Sequence, residues 1–215
     1  MIRPETKDFL EAATGIGWEC TMRNGIINLS HPLESGRNYT FSVYEDALPD
    51  AARQQSMEFC VENYLYAQQN SLHSTAEVKL EMEAQEISEH LENLNKIFND
   101  TIHDFLVKNL FDKAEELGWS YTPEVEDCIY LSKHSPAGEA FGISVSVSDI
   151  VSDVREHACD FDIEDHVFAL LNAKRNGIQG IPDVRTLVED ADAISEMLRA
   201  LADGFEAVEN LFFEA

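Results

Sequence analysis

Basic residues are scarce in this chain, with 15 Lys and Arg facing 41 Asp and Glu, a formal net charge of −26 over 215 residues. A field of that sign repels nucleic acid and anionic lipid and attracts basic surfaces, so neither direct DNA or RNA binding nor membrane binding is expected. Long apolar runs are also missing. The opening MIRPETKDFLEAA has no stretch of signal-peptide length, and no window nears the roughly 18 consecutive apolar residues of a membrane span. A cytoplasmic location is the expectation. Cysteine is sparse: Cys20, Cys60, Cys128 and Cys159 lie far apart with no CxxC or metal-ligand spacing, which argues against a disulfide framework and leaves scattered thiols. Gly-rich phosphate loops, GxSxG and HExxH are absent as well, removing the commonest sequence-readable routes to nucleotide, acyl and metal chemistry. No catalytic residue, cofactor or metal is therefore expected.

What is present is enough apolar material to fold, with 44% hydrophobic residues including 12 Phe and 2 Trp. The chain also repeats itself. GWECTMRNGIINLSHPLESGRNYTFSV, residues 17 to 43, runs beside GWSYTPEVEDCIYLSKHSPAGEAFGISV, residues 118 to 145, with Trp18 answering Trp119, Gly36 answering Gly138 and Ser42-Val43 answering Ser144-Val145. AEVKLEMEAQEISEHL (76 to 91) matches DVRTLVEDADAISEML (183 to 198). A period of about 100 residues is too long for a solenoid unit and implies two similar domains in tandem, 1 to 100 and 101 to 215.

Each copy is expected to be α+β, a unit of one helix, a three-stranded antiparallel meander and two helices. The first helices fall near 5 to 14 and 103 to 117, the second stopped by Gly118, with a division near Asn99-Asp100. Alternating runs such as Phe141 to Val147 read as strands with one buried face, and Ser135 to Gly138 as the turn between two of them. The closing helices are expected at 57 to 70 with 75 to 98, and 163 to 176 with 183 to 213, Pro182 being the first helical residue of the last. On that helix Val184, Leu187, Ala191, Ile194, Leu198, Leu201, Phe205, Val208 and Phe212 recur at steps of three and four. Leu80, Ala84, Ile87, Leu91, Leu94 and Phe98 draw the same stripe in the first copy. A core-facing stripe is preferred; the competing reading is a coiled coil between two chains, giving a homodimer through 183 to 213. Trp18 and Trp119 are expected in the core between first helix and sheet.

The segment CDFDIEDH, Cys159 to His166, looks at first like a metal or acid/base site. Counted as a calcium loop from Asp160, it has Asp165 where Gly is needed and Leu171 where Glu is needed. A zinc site from His157, Cys159 and His166 has no familiar spacing. Asp162 reads instead as an N-cap, with Asp165 three residues on and Glu164 favourably placed at the positive end of the helix dipole. QQSMEFC, 54 to 60, is its expected counterpart, with Ser56 answering Asp162.

SPAGEAF, FDIEDHVFALLNAKRNG and GIPDVRTLVEDADAISEML resemble short acidic proteins of gut bacteria and their mobile elements, over residues 118 to about 201. The first copy departs from that pattern at its acidic and GIP segments. The resemblance implies a cytoplasmic bacterial protein and brings no activity with it. In topology and charge the copies are also loosely similar to acidic type III secretion chaperones, although those interpose more strands where two closing helices are expected here.

The function expected is a non-enzymatic acidic module that binds a basic protein partner, in a sharper form as a DNA mimic. Residues 104 to 215 hold 24 acids and 8 Lys or Arg, a net of −16, so the second copy should carry more of the surface than the first. Asp149, Asp153, Glu156 and Asp160, with Glu189, Asp190, Asp192 and Glu196 on the last helix, are the candidate contacts. A chaperone-like domain holding an extended peptide against a sheet edge or the helical seam is the first alternative, an enzyme without a recognisable motif the second.

Overall fold

The computed structural model of the chain describes residues 4–71, 77–124, 127–136, 138 and 140–213. Helix α1 (Thr6–Gly15) is short and amphipathic, burying Phe9 and Ala13, which lie one turn apart. It stops at Gly17, whose φ of +93° is left-handed and costs a glycine nothing. There the Gly17 amide donates to the Thr14 carbonyl and the Trp18 amide reaches back to the Ala13 carbonyl, both at 3.1 Å. Those two bonds form a Schellman motif, whose following residue characteristically packs on the helix it ends. Trp18 is accordingly 1% exposed. Gly118 (φ +79°) and Trp119 repeat the device: Gly118 donates to Glu115 and Trp119 to Ala114, both at 2.9 Å.

Strands β1 (Glu19–Arg23), β2 (Ile26–Pro32) and β3 (Asn38–Tyr44) form an antiparallel meander with β2 in the centre. Ile27, Leu29 and His31 alternate along β2 toward the core, as a half-buried strand requires. Asn24 and Gly25, both at positive φ, make the two-residue turn between the paired Arg23 and Ile26. Helices α2 (Asp50–Glu58), α3 (Val61–Ser71) and α4 (Glu77–Glu116) follow. The order then recurs as β4 (Ser120–Pro123), β5 (Cys128–His134), β6 (Ala140–Ser146), α5 (Ile150–Asp160), α6 (Ile163–Arg175) and α7 (Val184–Phe213). Registers match between the copies: Glu19 pairs Ser30 as Ser120 pairs Ser132, and Pro32 pairs Asn38 as His134 pairs Ala140. The turn expected from Ser135 to Gly138 is closed by a Gly138 amide to Ser135 carbonyl bond of 2.9 Å, although Ala137 lies outside the described residues.

The fold is thus α+β with two three-stranded meanders, and the stripes face the cores. All six positions of the first stripe are buried, as are their equivalents Leu187, Ala191, Ile194, Leu198, Leu201 and Phe205; Val184, at the start of the second, is exposed. Three expectations need correction. Each copy has a helix, α2 or α5, ahead of the expected pair; the Ile150, Val151 and Val154 face that α5 buries is rich in β-branched residues and reads equally as strand. Helix α4 runs unbroken through Asn99 and Asp100, because no Gly or Pro lies between 77 and 116; the Thr101 hydroxyl bonds the Ile97 carbonyl at 2.8 Å, a local bond that the helix tolerates. Pro182 precedes α7 rather than opening it; Asp183 caps it, accepting from the Thr186 amide at 3.1 Å. The chain divides into two compact units between Phe105 and Leu106, inside α4.

Candidate functional site

The eight candidate acids separate by role. Glu156 and Asp160 on α5 are exposed, as are Glu189, Asp192 and Glu196, which share one face of α7 by their spacing of three and four. Asp149 is exposed at the start of α5, where the Ser148 hydroxyl bonds it at 3.3 Å. Asp153 has a local task, accepting the Ser146 amide at 2.8 Å and so tying α5 to the end of β6. Asp190 is 5% exposed and engaged, and it does not belong to an acidic surface. Basic residues interrupt the α7 row: Arg185 pairs with Glu189 at 2.9 Å, and Arg155 of α5 with Glu206 at 3.3 Å.

The CDFDIEDH segment bridges two helices rather than leaving a strand. Cys159 and Asp160 end α5, and Asp162 caps α6, accepting the Asp165 amide at 2.9 Å. His166 is half-buried beside the rings of Phe161 (5.3 Å) and Phe141 (6.3 Å), whereas His157 and Cys159 are exposed. Among the described residues no three His, Cys, Asp or Glu are grouped to hold a metal. The counterpart of this segment is displaced from the expected one. Phe59 and Cys60 precede α3 as Phe161 and Asp162 precede α6, so Cys60 answers Asp162, and Ser56 lies inside α2.

That alignment exposes a polar cluster in the first unit. Arg37, at the end of a loop closed by the Leu33 amide on its own carbonyl (2.8 Å), reaches Glu83 on α4. Its Nε donates to Glu83 Oε2 at 3.1 Å and its Nη2 to Oε1, while Nη1 donates to Gln68 Oε1 at 3.1 Å. The Tyr64 hydroxyl of α3 donates to the same Glu83 oxygen. Glu83 is only 4% exposed. Burial pushes its carboxyl up, but hydrogen bonds from Arg37, Tyr64 and Ser35 outweigh that and hold it below the usual carboxylate range. Tyr64 is pushed up to about 12 by burial and by its bond to the ionised Glu83. A second tie, the Glu34 amide on Glu86 Oε1 at 2.9 Å, completes the clamp of this loop on α4. The arrangement fixes a loop; every acceptor of Glu83 is already engaged by the protein. Its equivalents in the second unit are His166 for Tyr64 and the buried Asp190 for Glu83, with Glu139 in sequence at the Arg37 position.

Among the described residues, the first unit has an open groove and a smaller cavity. An open groove of about 870 Å³ runs between α1 and β1, lined by Leu10, Thr14, Cys20 and Met22 with Glu5, Lys7, Glu11 and Glu45. Burial pushes the Cys20 thiol up, only partly offset by a hydrogen bond with Thr14, so this is not a ready nucleophile. A smaller cavity of about 280 Å³ is lined by Trp18, His90, Lys96 and Asp100, among others. Beside it the rings of His31 and His90 stack at 3.7 Å. None of these residues was singled out as a site by sequence alone. Among the described residues no helix is long and apolar enough to cross a membrane. Comparison with protein-family models, curated proteins and solved structures finds no match for this chain.

Proposed function

We propose that this chain is a non-enzymatic acidic module that engages a basic protein partner through its second unit. The observation that carries this reading is the division of labour among the acids. Asp153, Asp162, Asp183 and Asp190 are occupied or buried, whereas Glu156, Asp160, Asp192 and Glu196 are exposed and form no ion pair among the described residues. Carboxylates left in water at that density favour a partner bearing Lys and Arg, chiefly by speeding encounter. The DNA-mimic form is less favoured, because Arg185, Arg199 and Arg155 break the row of negative charge. A homodimer through 183 to 213 would have to use Val184, the exposed first position of the seam, with the exposed Val188 and Leu211, since Leu187, Ala191, Ile194, Leu198, Leu201 and Phe205 are buried.

The test is affinity capture with the parent and with Glu156, Asp160, Asp192 and Glu196 all changed to Lys, followed by a salt titration of any basic partner. Asp153 is kept, because its loss would remove a hydrogen bond between α5 and β6 and confuse a binding effect with a structural one. Binding is expected to weaken steeply above about 0.1 M salt, where exposed charges more than ~10 Å apart are screened, and to lose on-rate in the variant. Affinity that stays flat with salt and ignores the four substitutions would sink the reading.

A further inference from the structure

The internal duplication provides a control for the groove between α1 and β1. Leu10 and Cys20, which line it, correspond in the second unit to Phe111 and Tyr121, and Met22 corresponds to Pro123. Phe111 and Tyr121 stack with ring centroids 4.4 Å apart and 15° between planes. The second unit therefore carries two aromatic rings where the first has a four-carbon side chain, a thiol and open space. Met22, although on the face of β1 that carries core residues in β2, is 54% exposed.

The strand beside the groove differs in the same direction. β1 is an edge strand, paired with β2 alone. The two-residue turn at Asn24-Gly25 makes Arg23 and Ile26 the hydrogen-bonded closing pair, so pairs alternate from there. Met22 with Ile27 and Cys20 with Leu29 are then the pairs whose strand β1 backbone groups point away from β2. In the second unit the Glu124 amide bonds the Cys128 carbonyl, so the next pair, Pro123 with Ile129, is also outward, and proline has no N–H to offer there. Proline on an edge and a filled groove are how a sheet refuses another strand. The first unit has neither. Its groove carries Glu5, Glu11 and Glu45 against one lysine, Lys7, already paired with Glu11 at 3.2 Å.

We propose that the first unit binds an extended segment of a partner protein that adds as a strand to the outer edge of β1, placing an aromatic side chain in the groove and Lys or Arg beside its carboxylates. Backbone bonds to Cys20 and Met22 supply the pairing, the groove selects the ring, and the carboxylates select the flanking charge. This site is built from residues of the first unit alone and shares none with the acidic face of the second, so either proposal can fail without the other.

The probe is a labelled synthetic hexapeptide of alternating Val and Lys with a central Phe, titrated into the full chain by fluorescence anisotropy. Saturable binding is expected, with the Cys20 and Met22 amides gaining protection from hydrogen exchange. Replacing the Phe by Ala, or each Lys by Glu, should weaken it at least about tenfold. So should the double variant L10F/C20Y, which writes in the stack of the second unit, and independently Met22→Pro, which removes an outward amide. The four Lys substitutions in the second unit leave every lining residue of the groove in place, and at about 0.15 M salt they should change probe binding by less than about twofold. Near-ultraviolet circular dichroism checks the fold of each variant; if the double variant does not fold, Met22→Pro and the amide protection decide. No saturable binding by the parent, equal binding of the acidic peptide, or full binding by folded Met22→Pro would each overturn the proposal.

Discussion

At the residue scale the most consequential group is Glu83, a carboxylate removed from water and held by Tyr64 of α3 and by Arg37 of the preceding loop, which also donates to Gln68. Its carboxyl sits below the ordinary value of about 4.3 when folded, so its stabilising contribution is present above that pH and is lost as pH falls through the folded value. Tyr64 has the opposite sign. Raised from about 10 to about 12, it contributes fully below pH 10 and loses that contribution as pH climbs toward 12. Glu83→Gln is expected to cost about 2 kcal/mol at pH 7, less than the roughly 3–5 kcal/mol of a fully buried pair because Arg37 remains partly in water. In thermal melts from pH 7 to 3 the gap between parent and variant should close; a gap that is constant with pH would show that Glu83 acts by shape alone. None of this was legible beforehand. The three residues come from a loop and two helices, and the second copy carries Glu139, His166 and Asp190 at the same positions, so the repeat masks the cluster.

At the scale of elements, most of the fold was written in period and punctuation. The six-position stripe recurs in both copies because α4 and α7 each bury one face, and the GW dipeptides mark helix ends because a Schellman turn needs a left-handed glycine. What misled was local ambiguity. Asn99-Asp100 resembles a cap but lies in a stretch free of helix breakers, and Ser56 resembles a cap but belongs to α2, which shifts the true counterpart of Asp162 to Cys60. The two helix ends also make a paired prediction. Alanine at Gly118 meets only the end of Lys133 at 3.7 Å, so the cost is the left-handed backbone, about 1 kcal/mol. Alanine at Gly17 would place its Cβ 3.2 Å from His31 Nε2, on a buried ring stacked against His90. That ring has little room to retreat, so Gly17→Ala should cost about twice as much, allowing for the overpacking penalty. Chemical denaturation of the two variants checks the order; equal losses would mean that His31 yields freely. The groove, by contrast, was legible only once equivalent positions were known, when Leu10, Cys20 and Met22 could be set against Phe111, Tyr121 and Pro123.

For the molecule as a whole, the excess of 26 negative charges acts on stability before it acts on any partner. Like charges on a folded surface repel, and the unfolded chain relieves that repulsion by spreading them out. Screening should therefore stabilise the native state. Raising NaCl from about 0.01 M to 0.5 M shortens the screening length from roughly 30 Å to a few ångströms, which removes repulsion between distant carboxylates first. Attraction within close surface pairs such as Lys7–Glu11 and Arg185–Glu189 also weakens, but those exposed pairs contribute only about 0–1 kcal/mol each and are few beside the carboxylates. The net expectation is a gain of about 1 kcal/mol, or roughly 2–4 °C in melting temperature for a chain of this size. Choline chloride tested beside NaCl separates screening from specific sodium binding, since both salts screen alike. The Lys variant of Glu156, Asp160, Asp192 and Glu196 should already be relieved of part of the repulsion and respond less to salt. A melting temperature that falls with salt in the parent would mean that close ion pairs outweigh the long-range field. The acidic face would then be a balanced surface rather than a store of unsatisfied charge, and the case for a basic partner would lose its physical basis.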